Sequence, residues 1–355
     1  MHFLLKRFSF AVMKTRKVTL SSIAHDLNVS KTLVSVVLNG KADALNINKE
    51  TQKRVIARAN ELNYKPNQVA RGLRMGQTST LGLIVADISN PFYARITRTI
   101  EHKAEAEGYS LIVCSSDESE NREKHLIKML LDRQVDGIIM TTTMQQAEVL
   151  KESIPLHFPL VLFDRYLTGF DSHYVGVDNE QATHNAVKHL LELGHRKIGF
   201  LTLTPNHIST LHDRQLGYFK AFESANIPVI KKNLLQLDYV KLKSKDYNQI
   251  TKYLIENPEV TALFTSNNNL AVACLNAAKE LGKRIPEDLS LITFDDVECF
   301  NYTAPAISCI AQPLERIGEV AVKMALQQIK NKRSESQKVI LQTELIHRAS
   351  TCAIH

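Results

Sequence analysis

The chain has 355 residues, too many for one compact core and enough for two or three domains of ordinary size. Its composition, 44% apolar and 23% charged, is that of a soluble globular protein, and no apolar run approaches the ~20 residues that span a bilayer. The formal net charge of +7 is an uneven average: fourteen lysines and arginines stand against four acids up to Thr78, and thirty against thirty-three after it. Positive charge concentrated at one end is what phosphate neutralisation requires, which makes nucleic acid the first partner to consider; a solvated basic face is the alternative. Five scattered cysteines (Cys114, Cys274, Cys299, Cys309, Cys352) form no C-x-x-C pair, as expected for reduced thiols in a cytoplasmic protein. The thirteen histidines show no metal-type spacing, and neither metal nor cofactor is expected.

The opening MHFLLKRFSFAV is no signal peptide, because Lys6 and Arg7 interrupt a short apolar stretch and no small-residue cleavage site follows. Residues 1–16 are expected to be a disordered extension, with a DNA-contacting arm as the alternative and Met13 as a second candidate start. Next, VTLSSIAHDLNVSKTLVSVVLN (18–39) reads as two short helices joined by a tight turn. Leu20, Ile23, Ala24 and Leu27 recur at helical spacing, and Val29, Leu33, Val34, Val37 and Leu38 do so again. Ser21 is the expected cap of the first helix and Ser30 of the second. Asn28 suits a left-handed corner, and Ala24 permits close helix approach. This is a helix-turn-helix pattern, which puts DNA forward as partner.

A polar connection leads to a third amphipathic helix at 51–62, and Tyr64-Lys65-Pro66 reads as extended linker. One further short helix is expected at 67–75, closed by Gly76. From Thr80 short apolar runs alternate with helical stretches: LGLIVAD, YSLIVCSS, DGIIMTT, LVLFDR, YVGVD, KIGFLT, LLQLD, ALFTSN and SLITFDD. The intervening helices are expected near 91–107, 120–133, 145–152, 180–193, 211–225, 246–256 and 269–281. Buried parallel strands alternating with helices define an α/β, doubly wound architecture, here in two halves of about five strands. Ligands bind such sheets outside the carboxyl ends of the strands, so the strand-end loops are the place to expect a small-molecule site.

The ordered series VTLSSIAHDLNVSKTLVSVVLNG, ELNYKPNQVARGLR, LGLIVADISNPFYARITRTIE, DRQVDGII, LFDR, VGVDNEQATHNAVKHLLELGHRKIGF, DRQLGYFKAF, IPEDLSLITFDD and IAQPLERIGEVAV resembles the lac repressor/gal repressor family of bacterial transcription regulators, from Val18 to the C-terminus. The resemblance implies an N-terminal helix-turn-helix DNA-binding domain (17–64), a hinge helix and linker (65–78), and a two-lobed periplasmic-binding-protein-like effector and dimerisation domain (79–355). Lobe 1 is expected at about 79–173 and 308–332, and lobe 2 at about 174–307 and 333–355. By the same resemblance the DNA-binding residues are Thr19, Ser30, Lys31, Thr32, Ser35, Val36 and Asn39 of the head, with Asn67, Ala70, Arg71 and Leu73 of the hinge. Lys31 and Thr32 match base readers. Val36 stands where many relatives have Arg or His, and offers only apolar contact, for instance to a thymine methyl. Leu33 replaces a commonly hydroxylated position; both residues also read as helix core. Leu73 matches a leucine that wedges between base pairs. Gly72 lowers helicity by about 1 kcal/mol relative to alanine, so the hinge helix is expected to form on DNA.

In the body the resemblance implies effector contacts from Phe92, Tyr93, Asp164, Arg165, Arg214, Asn267, Asp295 and Gln312, with a strand-end cap or interlobe pair as the structural alternative for each polar one. Where relatives often have Asn-Asp, this chain has Asn267-Asn268-Asn269, one negative charge fewer. An aromatic platform with carboxylate and guanidinium groups suits a polyhydroxylated ligand. The function so implied is a homodimeric repressor, cytoplasmic and nucleoid-associated, that reads a pseudo-palindromic double-stranded operator under control of a small effector, a sugar or sugar derivative. A solute-binding protein would carry an export signal and no basic head. An enzyme is disfavoured because G-x-G-x-x-G, G-x-x-x-x-G-K-[ST] and G-x-S-x-G are all missing, and His195, the one conceivable acid/base partner for Asp295, falls in a structural LGH turn. Regulation through a phosphocarrier protein is a further alternative.

Overall fold

The computed structural model describes residues 18–64, 77–331 and 335–354. The chain divides into two compact units, a head within residues 1–74 and a body within 75–355. The head holds α1 (Leu20–Leu27), α2 (Lys31–Leu38) and α3 (Lys49–Glu61) around Ile23, Ala24, Val34, Val37, Ala42, Val55 and Ala59. Thr19, not Ser21, caps α1. Its Oγ1 accepts from the Ser22 amide at 3.2 Å while Ser22 Oγ accepts from the Thr19 amide at 2.9 Å. Thr19, Ser21 and Ser22 fall within four residues here, and only the pair three residues apart can satisfy two amides reciprocally. Ser30 caps α2 by accepting from the Leu33 amide at 3.1 Å, and Asn28 takes the left-handed corner at φ 52°. Arg58 of α3 grips Asp26 of α1 at 2.6 Å, tying the third helix to the first.

In the body β1 (Thr80–Val85), α4 (Pro91–Ala106), β2 (Ser110–Ser115), α5 (Glu120–Asp132), β3 (Gly137–Met140), α6 (Ala147–Ser153), β4 (Leu160–Phe163) and β5 (His173–Val177) follow one another as the apolar runs predict. The alternation continues through α7 (Asn179–Glu192), β6 (Ile198–Thr204), α8 (Ser209–Ser224), β7 (Leu234–Asp238), α9 (Tyr239–Lys243), α10 (Asn248–Glu256), β8 (Ala262–Thr265), α11 (Asn268–Glu280) and β9 (Ser290–Phe294). The chain closes with β10 (Ser308–Ala311), α12 (Leu314–Lys330), β11 (Lys338–Leu341) and β12 (Glu344–Ile346). Most of β1 and all of β3, β4, β8 and β9 are buried, which explains their continuous apolar character: helices cover both faces of the sheets.

The strands form two six-stranded sheets, ordered β11-β5-β4-β3-β1-β2 and β12-β10-β9-β8-β6-β7. Each strand of one sheet has its counterpart in the other, and the pairings are parallel except β12 against β10. This pairing corrects the expected lobe boundaries. β5 belongs to lobe 1, beside β4, whereas β10 belongs to lobe 2, beside β9. β11 pairs with β5 in lobe 1, and β12 with β10 in lobe 2. The chain therefore changes lobe after Val177, between Ala311 and Leu314, and between Leu341 and Glu344. The physical reason is that an apolar run specifies a buried strand but not its neighbour, which is chosen by long-range pairing. Helix α12 returns to lobe 1 and packs on α4, β3, β4 and β5. Among the described residues no helix is long and apolar enough to cross a membrane.

Candidate functional site

On α2, Lys31 and Thr32 are exposed in the first turn, and Thr32, Ser35, Val36 and Asn39 share one face by helical spacing. Val34 and Val37 point the other way, into the core. Leu33 packs against that core, which explains its apolar character structurally, whereas Val36 lies outside the core cluster on the polar face. Asn39 caps the helix end and its Nδ2 donates to the Ser35 carbonyl at 2.6 Å. Thr19 and Ser30 sit exposed at the two helix starts. The hinge positions Asn67, Ala70, Arg71 and Leu73, and the helix expected there, lie outside the described residues.

In the body the carboxyl ends of both sheets converge on one cleft, as doubly wound sheets require. Phe92, Tyr93, Asp164, Arg165, Arg214, Asn267 and Asp295 all line it. Gln312 does not; it sits behind the wall and its Nε2 donates to Asp295 Oδ1 at 2.7 Å. Phe92 and Tyr93 enter from the start of α4, whose first turn is capped by Asn90, and their rings meet edge to face at 4.9 Å. Asn267 caps α11 by accepting from the Leu270 amide.

The two acidic residues are placed alike. Asp164 directly follows β4 at φ 61°, and Asp295 directly follows β9 at φ 72°. Each donates its backbone amide to the neighbouring strand, Asp164 to the Val175 carbonyl and Asp295 to the Ile310 carbonyl, both at 3.0 Å. Aspartate tolerates this left-handed backbone better than most residues, and the turn swings the carboxylate off the sheet edge into the cleft. Tyr93 OH donates to Asp164 Oδ2 at 2.9 Å. Burial pushes the Asp164 carboxyl above its ordinary value, against the pull of Arg165 and Arg214. Burial likewise pushes Asp295 up to about 6, opposed by Arg214 and Gln312 and assisted by Asp164.

The two guanidiniums differ. Arg165 gives both terminal nitrogens to Glu118, each at 2.6 Å, in a bidentate pair closed within lobe 1. Arg214 lies flat on Phe294, 3.6 Å from the ring centroid, with Nε donating to Asn179 Oδ1 at 2.8 Å and Nη1 to the Ser266 carbonyl at 2.6 Å. Side chains also tie the lobes at the cleft's rim. Tyr239 OH donates to Asp87 Oδ2 at 2.5 Å, and Lys243 bridges Asp87 and Asp117 at 3.5 and 3.2 Å. Opposite them, the Tyr166 amide donates to Ser209 Oγ and its hydroxyl to Asp213, both at 3.0 Å. With these ties closed the free space is about 50 Å³, a third of the ~150 Å³ that accommodates one benzene ring. A ring-sized ligand enters only if the lobes part.

Asp87, Glu118 and Tyr239 line the cleft without having been singled out in the sequence, and Asn269, the last of the three asparagines noted there, joins them. Asp87 ends the LGLIVAD run, so its place at a strand's carboxyl end was a usable signal. Glu118 and Tyr239 carried none, since only the fold brings their loops to the rim. His195 is remote from this chemistry: its ring bonds Thr261 Oγ1 at 2.9 Å and the Cys352 carbonyl at 3.1 Å, and burial lowers its pKa. It holds the C-terminal segment to lobe 2. Among the described residues no three His, Cys, Asp or Glu side chains converge as metal ligands do.

Residues 19–67 match "Bacterial regulatory proteins, lacI family", and residues 187–351 match a periplasmic binding protein-like domain. The catabolite control protein A of Priestia megaterium is 32% identical over 94% of this chain and 99% of that protein. The ribose operon repressor of Halalkalibacterium halodurans is 30% identical over 94% of this chain and 97% of that protein. Among solved structures, the lac repressor dimer bound to operator and the anti-inducer ONPF superposes with a TM-score of 0.83 at 25% identity, over 95% of this chain and 100% of that one. A LacI family transcriptional regulator from Enterococcus faecium with bound ribose gives a TM-score of 0.67 at 29% identity, over 78% of this chain and 100% of that one.

Proposed function

The chain belongs to the lacI family of bacterial regulatory proteins, and from that premise we propose that it is a homodimeric repressor whose operator affinity is set by a small carbohydrate held between its lobes. The observation that carries this reading is the convergence of seven anticipated contact residues, from both lobes, on the single cleft at the sheets' carboxyl ends. A ligand held by groups from two lobes binds the closed form differently from the open one. Differential affinity of that kind is what shifts a conformational population.

In this reading α2 enters the major groove with Lys31 and Thr32 on base edges, while Thr19, Ser30, Ser35 and Asn39 position the head on phosphates. Val36, on the outer face of α2 and outside the core, contacts a thymine methyl. Leu73 wedges into the operator centre from the hinge. Two heads on a two-fold dimer match two half-sites.

The test is a mobility shift of the full chain on the region upstream of its own coding sequence. Specific retention that weakens at least tenfold in Lys31→Ala and in Leu73→Ala is the expected result. Retention equal to that on unrelated DNA would refute the operator reading. Replacing each half-site thymine by deoxyuridine, which lacks only the methyl, should weaken binding at one position in the parent chain and at none in Val36→Ala.

A further inference from the structure

The place where the chain enters lobe 1 holds a joint that lobe 2 builds differently. Strand β1 pairs with β3 so that Leu81 lies beside Gly137, and β6 pairs with β8 so that Ile198 lies beside Ala262. The preceding residues correspond as well. The Asp136 amide donates to the Thr80 carbonyl at 2.8 Å, and the Thr261 amide to the Lys197 carbonyl at 3.1 Å. Two residues before those carbonyls stand Thr78 in lobe 1 and His195 in lobe 2.

In lobe 2 a neutral pair closes the joint: Thr261 Oγ1 meets the His195 ring at 2.9 Å, and burial lowers the pKa of that ring. In lobe 1 a carboxylate closes it. Asp136 Oδ1 accepts from the Thr78 amide at 2.8 Å and lies 3.1 Å from the Thr78 hydroxyl, which also reaches the Gln134 carbonyl at 2.9 Å. Between this contact and β1 the chain bends through Ser79 at φ 51°, while its counterpart Arg196 has no left-handed backbone. A serine keeps that conformation only where its neighbours hold it. Here Thr78 is held on one side, and the Ser79 carbonyl accepts from the Ser110 amide at 2.9 Å on the other.

Asp136 Oδ2 is buried and receives no hydrogen bond among the described residues. A buried carboxylate oxygen left unpaired weakens a fold. The neutral pair of lobe 2 shows that this joint between strands needs no charge. What the carboxylate adds is a charge-assisted bond to a backbone amide, which fixes the chain itself at its entry to the body.

We infer that Asp136 is a positioning residue for operator recognition. Its bond to the Thr78 amide sets the point and direction in which the chain leaves lobe 1 for the DNA-binding head, and with them the spacing of half-sites that two heads can read. This rests on the proposed homodimer reading two half-sites.

The test uses the full chain with two substitutions. Asp136→Thr installs the residue that lobe 2 carries at this place and releases the Thr78 amide. Asp136→Asn keeps an acceptor for that amide. The parent selects its preferred sites from a random duplex pool, and the best is remade with one base pair added or removed between the half-sites. The parent should bind both altered operators about tenfold more weakly or worse. Asp136→Thr should bind the best operator about fivefold more weakly than the parent does, yet lose less than about threefold on altered spacing. Asp136→Asn should follow the parent, and all three chains should bind unrelated DNA alike with Tm values within a few degrees. Spacing discrimination in Asp136→Thr equal to the parent's overturns the inference. So does a fall in Tm of more than about ten degrees, which would make the role structural.

A parent that selects no sequence, or only a single half-site, refutes the two-half-site reading instead. Hydrogen–deuterium exchange of the peptide spanning Thr78, without DNA, then decides whether Asp136 holds the entry. Slow exchange at Thr78 in the parent and fast exchange in Asp136→Thr, with β1 unchanged, is the expected result. Equal exchange in the two chains overturns the inference.

Discussion

Lobe 1 and lobe 2 are wound in the same strand order, and in each a buried Phe-Asp pair ends the fourth strand, Phe163-Asp164 in one and Phe294-Asp295 in the other. They differ in how the carboxylate is backed. In lobe 1 a phenol holds Asp164, and the adjacent Arg165, paired bidentately with Glu118, also lies 3.9 Å from it through Nε. In lobe 2 an amide holds Asp295, and Arg214 rests on Phe294 with part of its guanidinium toward the cleft. The same backbone device, a left-handed aspartate at a strand end, thus serves two tasks. Lobe 1 gathers two carboxylates around Arg165; lobe 2 sets one carboxylate beside Arg214. The edges also differ, because β11 joins β5 in parallel whereas the chain turns back immediately to lay β12 antiparallel on β10.

If lobe 2's cation balances both acids, Arg214→Met is the most damaging single change. It removes the main charge that opposes Asp295 and, after Arg165, the next that opposes Asp164, and urea unfolding should show a loss of about 3–5 kcal/mol. A loss under 1 kcal/mol would mean that the acids do not depend on it. The helix layers offer the next comparison. Gly217 on α8 faces α7 so closely that an added Cβ would collide with the Glu180 carbonyl oxygen and with Thr183 Cβ at 2.9 Å. Backbone cannot step aside cheaply, so Gly217→Ala should cost about 3 kcal/mol.

Glu118→Gln tests whether the lobe 1 pair is closed on itself. Losing one charged partner of Arg165 should cost about 2 kcal/mol by urea unfolding, while leaving the pH dependence of the Asp295 region in place. A change in that pH dependence would show the two walls to be coupled. The smallest effect is expected at Gly318 on α12, where an added Cβ meets Thr99 Cγ2 at 2.7 Å and Thr99 Cβ at 3.1 Å. A side chain can turn, and alanine gains about 1 kcal/mol of helix propensity, so Gly318→Ala should change stability by under about 1 kcal/mol. Equal costs at Gly217 and Gly318 would erase the distinction between the two helix layers.

Much of this architecture was legible along the chain. Nine apolar runs mark nine of the twelve strands; the inner ones are apolar because both their faces are buried, while the edge strands β2 and β7 are apolar but only partly buried. β11 and β12 escaped because they are short and half exposed, and β10, as short as β3 and mostly buried, escaped because Ser308 and Cys309 leave only Ile310 and Ala311 as an apolar signal. The cleft was legible in part. Asp164, Asp295 and Asn267 stand at the ends of apolar runs, and Arg214 and the Phe92-Tyr93 pair came through the resemblance. Glu118 and Tyr239 were not, since their loops reach the rim only once the sheets have twisted and the lobes have met. Leu33 and Val36 read alike as apolar residues at helical spacing. Three helices had to pack before one proved to lie against the core and the other, equally half-buried, outside it.

By itself the sequence determined which segments are helices and strands, that a helix-turn-helix precedes a doubly wound body, and which strand ends carry acids and arginine. These follow from periodicity, capping and burial over a few neighbouring residues. Only the tertiary structure decided which strands share a lobe, which arginine is ion-paired to a carboxylate, and that Asp164 and Asp295 line one nearly closed cleft. Those outcomes depend on pairing between residues as distant as Val177 and Leu341, and on ion pairs whose members lie in separate loops, and no local pattern encodes either.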